Sequence, residues 1–260
     1  MQKTYVLASQ FALAALCFAA HGVSYSAAYN EADISGYKIG GQMLAAKPVL
    51  QKINPAYVFE EIKLQDGRVV GLSAVVKIVK QNMPTFYADQ FVVLQNEAGI
   101  VWFAGRTQQI ADKEKYVNIK TLRESLESKY GKSTYSENLS MVWDYDASGK
   151  QYMSVKIGDY YGVSPCYTDG NSTDNLGDIT GTNLAMWVPR KFSEKCGFAV
   201  HSRMSSAAGD STMSLVSKYT TTLVNPKLRY DMAAIKAAKD AIEKKKLIDS
   251  EAQRGNKPQL

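Results

Sequence analysis

Histidine is almost missing from this sequence: there are 2 in 260 residues, beside 3 cysteines and 7 prolines. That shortage excludes the His- and Cys-rich ligand sets of structural zinc sites and leaves little for imidazole-based catalysis. Long hydrophobic runs are also missing. The longest, Tyr5 to Ala20, falls short of the ~20 apolar residues a membrane-crossing helix needs. No alternating pattern recurs often enough for an outer-membrane barrel. Phosphate-cradling glycines followed by Lys-Ser/Thr, dinucleotide fingerprints and zincin motifs are absent too.

The Tyr5 to Ala20 stretch follows Lys3 and precedes a region of small residues, the pattern of a secretory signal over residues 1–26. Either Ala20-His21-Gly22 or Ser24-Tyr25-Ser26 supplies the small residues that signal peptidase needs. Cys17 follows Leu16 rather than a small residue, which argues against a lipid anchor. Cleavage removes Cys17 and His21 and leaves Cys166, Cys196 and His201. A soluble protein of the Gram-negative periplasm is expected, and in that oxidising compartment an even pair of cysteines is expected to form one disulfide. Neither thiol is then a nucleophile or a metal ligand.

The formal net charge of +6 is unevenly spread. From Lys227 to Leu260 there are nine basic and five acidic residues, so the excess belongs to one terminal helix. Export and the lack of a broad basic face exclude nucleic acid as the expected partner. Stable membrane insertion is not expected, but weak contact with an anionic surface through residues 236–246 is.

Local patterns predict the elements. Met43, Leu44, Ala46, Val49, Leu50 and Ile53 recur at helical spacing, with Pro48 either kinking that helix or delaying its start to residue 47. Tyr57 to Leu64 and Arg68 to Val79 read as a hairpin across Asp66-Gly67, and Gln90 to Leu94 and Ile100 to Ile110 as a second across Asn96 to Gly99. Ile119, Leu122, Leu126 and Tyr130 share one helix face, capped by Asn118 and stopped at Gly131. Leu139 to Asp146 and Gln151 to Ile157 read as a third hairpin, and Leu184 to Val188, Phe198 to Met204 and Met213 to Val224 as strands. Along Phe198 to Met204, alternation puts His201 on the more polar face. Arg229 to Ile248 is a strong helix former with a thin apolar stripe.

The expected fold is α+β, with antiparallel sheets, packed helices and a charged C-terminal helix. Helix-then-strands order occurs twice, suggesting a first module over 27–112, a second over 113–226 and a helical tail over 227–260. One continuous domain fits the same order.

Candidate chemistry is sparse. A Ser-His-Asp array would have to use His201, and no Gly-x-Ser-x-Gly elbow is present. Ser35 and Lys38 match Ser-x-x-Lys without a later Lys-Thr-Gly, so the segment reads as a turn. Asp144 and Asp146 alternate on a strand with Asp159 nearby, the one carboxylate set that could serve acid–base catalysis, although Asp-x-Asp before Ala-Ser-Gly is also ordinary turn chemistry. Asp169, Asn171 and Asp174 offer oxygen ligands but lack the spacing of a calcium loop. No cofactor, no metal and no catalytic residue are expected.

Tyrosine is abundant, at 16 residues. Tyr160, Tyr161 and Tyr167 fall in a Gly-, Asp- and Ser-rich stretch over 158–182, far longer than an ordinary connection of ~4–6 residues. Tyrosines there, with Asp169, Asp174 and Asp178, suit a protein-contact surface.

The lead-in Asp33-Ile34-x-Gly36-x-x-Ile39-Gly40, its helix and the Asp66-Gly67 hairpin resemble small exported bacterial proteins built from a helix on an antiparallel sheet. These include the beta-lactamase inhibitory protein class and periplasmic immunity proteins. The Cys196-Gly197 strand, the long strand after it and the charged terminal helix also look like an exported proteobacterial family. The resemblance implies a binding protein rather than an enzyme, acting as an inhibitor or immunity protein against a secreted toxin enzyme. An envelope-structural or polysaccharide-binding role is the alternative.

Overall fold

Residues 34–37 close the chain on itself before any strand begins. Ile34 and Tyr37 exchange both backbone hydrogen bonds at 2.9 Å, across Ser35 and Gly36 at φ 53° and 87°, the two-residue turn that matches strand twist. Asp33 Oδ1 accepts from Gly36 N–H and from Lys129 Nζ, each at 2.6 Å. The Ser35/Lys38 pair is therefore turn chemistry: Ser35 Oγ accepts from Arg106 Nη1 at 2.7 Å, and Lys38 pairs with Glu31.

The computed structural model describes residues 31–78, 86–137, 139–153, 156–157, 160–161, 166, 179–180, 184–186, 188–189 and 195–254. A 3-10 turn, Met43–Ala45, leads into α1, Ala46–Ile53. Pro48 is the third residue of α1, where a missing N–H removes no intrahelical bond, so the helix starts early and is not broken. Strands β1 (Val58–Leu64), β2 (Val69–Ile78), β3 (Phe86–Gln95) and β4 (Val101–Gln109) follow as an antiparallel meander.

After β5 (Val117–Asn118) comes α2, Ile119–Tyr130. Asn118 Oδ1 accepts from the N–H groups of Lys120 and Thr121, and Gly131 ends the helix at φ 81°. Then come β6 (Tyr135–Glu137), β7 (Ser140–Asp146), β8 (Lys156–Ile157), β9 (Tyr160–Tyr161), β10 (Ile179–Thr180), β11 (Cys196–Ser206), β12 (Leu215–Val224) and α3 (Pro226–Arg254).

The fold is α+β, with a ten-stranded antiparallel sheet in the order β10-β1-β2-β3-β4-β12-β11-β7-β6 and β5 beside β12. Strands β6, β7, β11 and β12 are a second meander, joined to the first where β12 pairs with β4 from Phe103↔Val224 to Gln109↔Lys218. A helix thus precedes each meander, and both meanders belong to one sheet.

Both helices lie on the same face. Ala46 and Leu50 of α1 and Leu126 and Tyr130 of α2 pack on Phe91, Val93, Ala104, Met141, Trp143 and Val200. Trp143 Nε1–H donates to Gly131 O at 2.8 Å while its ring lies 5.3 Å from Tyr130, tying the end of α2 to β7. The same face carries a nearly buried ion pair, in which Arg106 reaches Asp89 at 3.0 and 2.6 Å and Asn54 at the end of α1 adds a third bond. Burial and then the Asp89 charge push the neighbouring Tyr57 hydroxyl well above the usual phenol range.

The root of α3 is fixed: Asn96 Nδ2 donates to Leu228 O at 3.0 Å, and Arg229 lies 4.6 Å over the Trp102 ring. Residues 240–251 of α3 are exposed throughout. No helix among the described residues is long and apolar enough to cross a membrane.

Candidate functional site

The face opposite the helices carries Ile62, Val92, Leu94, Phe103, Ala199 and Val224. Cys166, Leu184, Met186 and Val188, from the chain between β9 and β11, pack on it. One fastening is covalent: Cys166 and Cys196 form a disulfide, both residues buried, with Cys196 opening β11. A second is β10, whose Ile179 and Thr180 pair with Leu64 and Lys63 at the edge of β1.

The third fastening is a strap. Leu184 to Val188 has the alternation of a strand, but residues 184–186 and 188 form no strand; Ala185 and Met186 bend. The backbone of Ala185 bonds to side chains instead: its N–H donates to Gln90 Oε1 at 2.7 Å, and its carbonyl accepts from Thr107 Oγ1 at 3.3 Å. Gln90 in turn donates to Ser73 Oγ, and Thr107 shares a hydrogen bond with Thr220. Gly105 makes room for the strap, since a β-carbon there would sit 2.3 Å from the Met186 sulfur. Ser73, Gln90 and Thr107 are the residues that pattern reading missed. Their signal was present, as polar side chains inside otherwise apolar strands, where burial demands a hydrogen-bonding partner.

The expected third hairpin is only half formed. Its turn is present, with Tyr152 N–H donating to Asp144 O and Gln151 bridging Tyr145, but β8 pairs with β9 and not with β7. Tyr160 and Tyr161 constitute β9, opposite Ile157 and Lys156. Their side chains, and Tyr167, Asp169, Asp174, Asp178, Asp159 and Asn171 altogether, lie outside the described residues.

No protein-family model, curated protein or solved structure matches the chain. What the site can do rests on its own geometry.

Asp144 and Asp146, the two strand carboxylates weighed between acid–base chemistry and turn chemistry, have different surroundings. Asp146 is half-buried, and its carboxylate accepts from Ser148 Oγ at 2.6 Å and from the N–H groups of Ser148 and Lys150. Those bonds, Ser148 first, hold its carboxyl below the usual range. Asp144 is 1% exposed, and its Oδ1 lies 3.1 Å from His201 Nε2. Its other oxygen has no hydrogen-bond partner among the described residues. Asp146 shapes a turn and Asp144 orients an imidazole.

Among the described residues no Ser-His-Asp array is assembled around His201. Ser202 faces away from His201, with Oγ 3.4 Å from Thr221 Oγ1, and among the described residues no hydroxyl is bonded to His201. Among the described residues there is also no cluster of three or more His, Cys, Asp or Glu placed to hold a metal.

Proposed function

We propose that the chain is a periplasmic protein-binding protein, an inhibitor or immunity protein that neutralises a secreted antibacterial hydrolase by occluding its active site. The observation that carries this reading is the one-sided placement of the helices. With α1 and α2 on one face, the opposite face holds the buried Cys166–Cys196 disulfide and the backbone of Ala185, while β10 pairs at the edge of β1. Binding surfaces are commonly built this way, as loops held by a rigid scaffold, because less order remains to be imposed on association. Tyr160, Tyr161 and Tyr167 are the anchors in this reading, and Asp169, Asp174 and Asp178 meet basic groups of the partner.

The test is affinity capture from periplasm and culture medium, followed by assay of any stoichiometric enzyme with the chain added back. The expected result is loss of that enzyme's activity, relieved when Tyr160, Tyr161 and Tyr167 are all replaced by Ala. Inhibition unchanged in the triple variant, with unchanged circular dichroism, overturns the assignment.

The exposed length of α3 over 240–251, with Lys244, Lys245 and Lys246, favours a second reading in which the chain rests on anionic envelope lipid or glycan. Co-sedimentation with anionic vesicles, in the absence of any captured enzyme, selects it.

A further inference from the structure

The Cys166–Cys196 bond joins residues 30 apart in the chain. Apart from Leu228 at the root of α3, the described residues that pack on this face from outside the sheet are Cys166, Leu184, Met186 and Val188. All four belong to the span that the disulfide closes. The noncovalent hold on that span is thin: among the described residues its backbone is held by two residue pairs at β10, by Gln90 and Thr107 at Ala185, and by Arg229 Nη1 donating to Pro189 O at 3.2 Å. The bond is also hidden. Cys166 and Cys196 are 4% and 3% exposed, and Cys166 Sγ lies 3.5 Å from the carbonyl oxygens of Tyr145 and Phe198, so the backbones of β7 and β11 stand against it. A thiolate breaks a disulfide only by reaching one of its sulfurs.

We propose that the cysteine pair is a self-shielding redox clasp: oxidation fastens the span carrying Leu184, Met186 and Val188 over the sheet, and the fastened span then keeps reductants from the bond. In closing, the two thiols pass two electrons and two protons to a disulfide oxidant by exchange, which leaves as two thiols. In the reduced chain the same span is held by its few polar bonds and apolar contacts alone. Local opening is then more frequent, because an open loop without a cross-link has more conformations to gain. Ile62, Val92 and Phe103 meet solvent whenever it opens. The state of this face is thus set by the redox poise in which the chain folds, and it persists after the poise changes. The proposal goes beyond the inhibitor reading, because it needs no enzyme partner and none of the tyrosine anchors.

The test is the rate at which dithiothreitol reduces the Cys166–Cys196 bond in the oxidised full chain, followed by alkylation and peptide mass spectrometry. In native buffer, reduction is expected to be at least about a hundredfold slower than in concentrated urea. Gln90→Ala and Thr107→Val each remove one bond to Ala185, and each is expected to speed native reduction at least about fivefold with circular dichroism unchanged. Val200→Ala is the control: it loosens the helix face without touching the strap, and the reduction rate should stay as it is. The reduced chain should keep its circular dichroism while hydrogen exchange quickens at Ala185 and Thr180. Reduction as fast in native buffer as in urea, a rate indifferent to both strap variants, or one raised equally by Val200→Ala each overturns the proposal. So does reduction that unfolds the sheet together with the strap. None of these outcomes bears on enzyme capture, so the two readings fail separately.

Discussion

The two faces of the sheet solve the same problem with different chemistry. On one face, α1 and α2 arrive with their backbone groups already paired, and the strands beneath them offer Phe91, Val93, Met141, Trp143 and Val200. On the other, the strap around Ala185 has no ladder and no helix to satisfy it, and the strands beneath offer Gln90 and Thr107. A buried amide left without a partner costs about 1–3 kcal/mol, so irregular chain cannot be laid over an all-apolar sheet. Polar side chains inside a strand therefore mark where non-repetitive chain will cross it. The helix face obeys the same logic at its rim, where Arg106 meets the Ser35 turn and Asp89 meets Asn54 at the end of α1.

The comparison is broken or sharpened by substitutions on each side. Trp143→Ala, on the helix face, removes a fully buried ring and the bond to Gly131, with an expected loss of about 3–5 kcal/mol in a single urea transition. A loss confined to α2 would show that the helix face is not one cooperative unit. Gln90→Ala, on the strap face, leaves Ala185 N–H and the Ser73 hydroxyl unpaired, at about 1–3 kcal/mol. Hydrogen exchange should quicken at Ala185 before it does in β3; equal quickening on both faces would erase the distinction.

The smallest effect belongs to neither face. At the β11–β12 turn, Asp210 accepts from Thr212 Oγ1 and from the N–H groups of Thr212 and Leu215. These bonds, the Thr212 hydroxyl first, draw its carboxyl down to about 2. A depressed carboxyl stabilises the fold above its ordinary value of 3.8, and that contribution drains away as pH falls through about 2. Carboxyl NMR should place the midpoint near 2, and Asp210→Asn should flatten this part of the acid profile.

What could be read from the sequence was whatever is encoded locally. The Asn118 cap, the Gly131 stop and the Asp66-Gly67 and Asn96 to Gly99 turns all lie within a few residues of the structure they specify, and those elements form where their patterns put them. Leu184 to Val188 was misread as a strand because alternation reports which side chains are buried, and a strap buries Leu184, Met186 and Val188 just as a strand would. Whether the backbone between them pairs with a neighbour or with Gln90 is set by residues far away in the chain. The same distance hid the β4–β12 pairing and the meeting of Asp144 with His201. Composition singled out the stretch over 158–182, but it carried no sign of the glutamine and threonine that fasten its far end.

The pairing of β12 with β4 also orders events in time. Strand β12 is the last strand of the chain, yet it sits in the middle of the sheet between β4 and β11. In a chain that lacks residues 215–224, the first meander ends in an unclaimed edge along Val101 to Gln109, with Trp102 and Phe103 beside it. Such an edge invites pairing with other chains. Assembly of the sheet is therefore a wait, with half of it exposed until the final strand arrives, and a chain truncated before Leu215 is expected to aggregate more readily than the full chain.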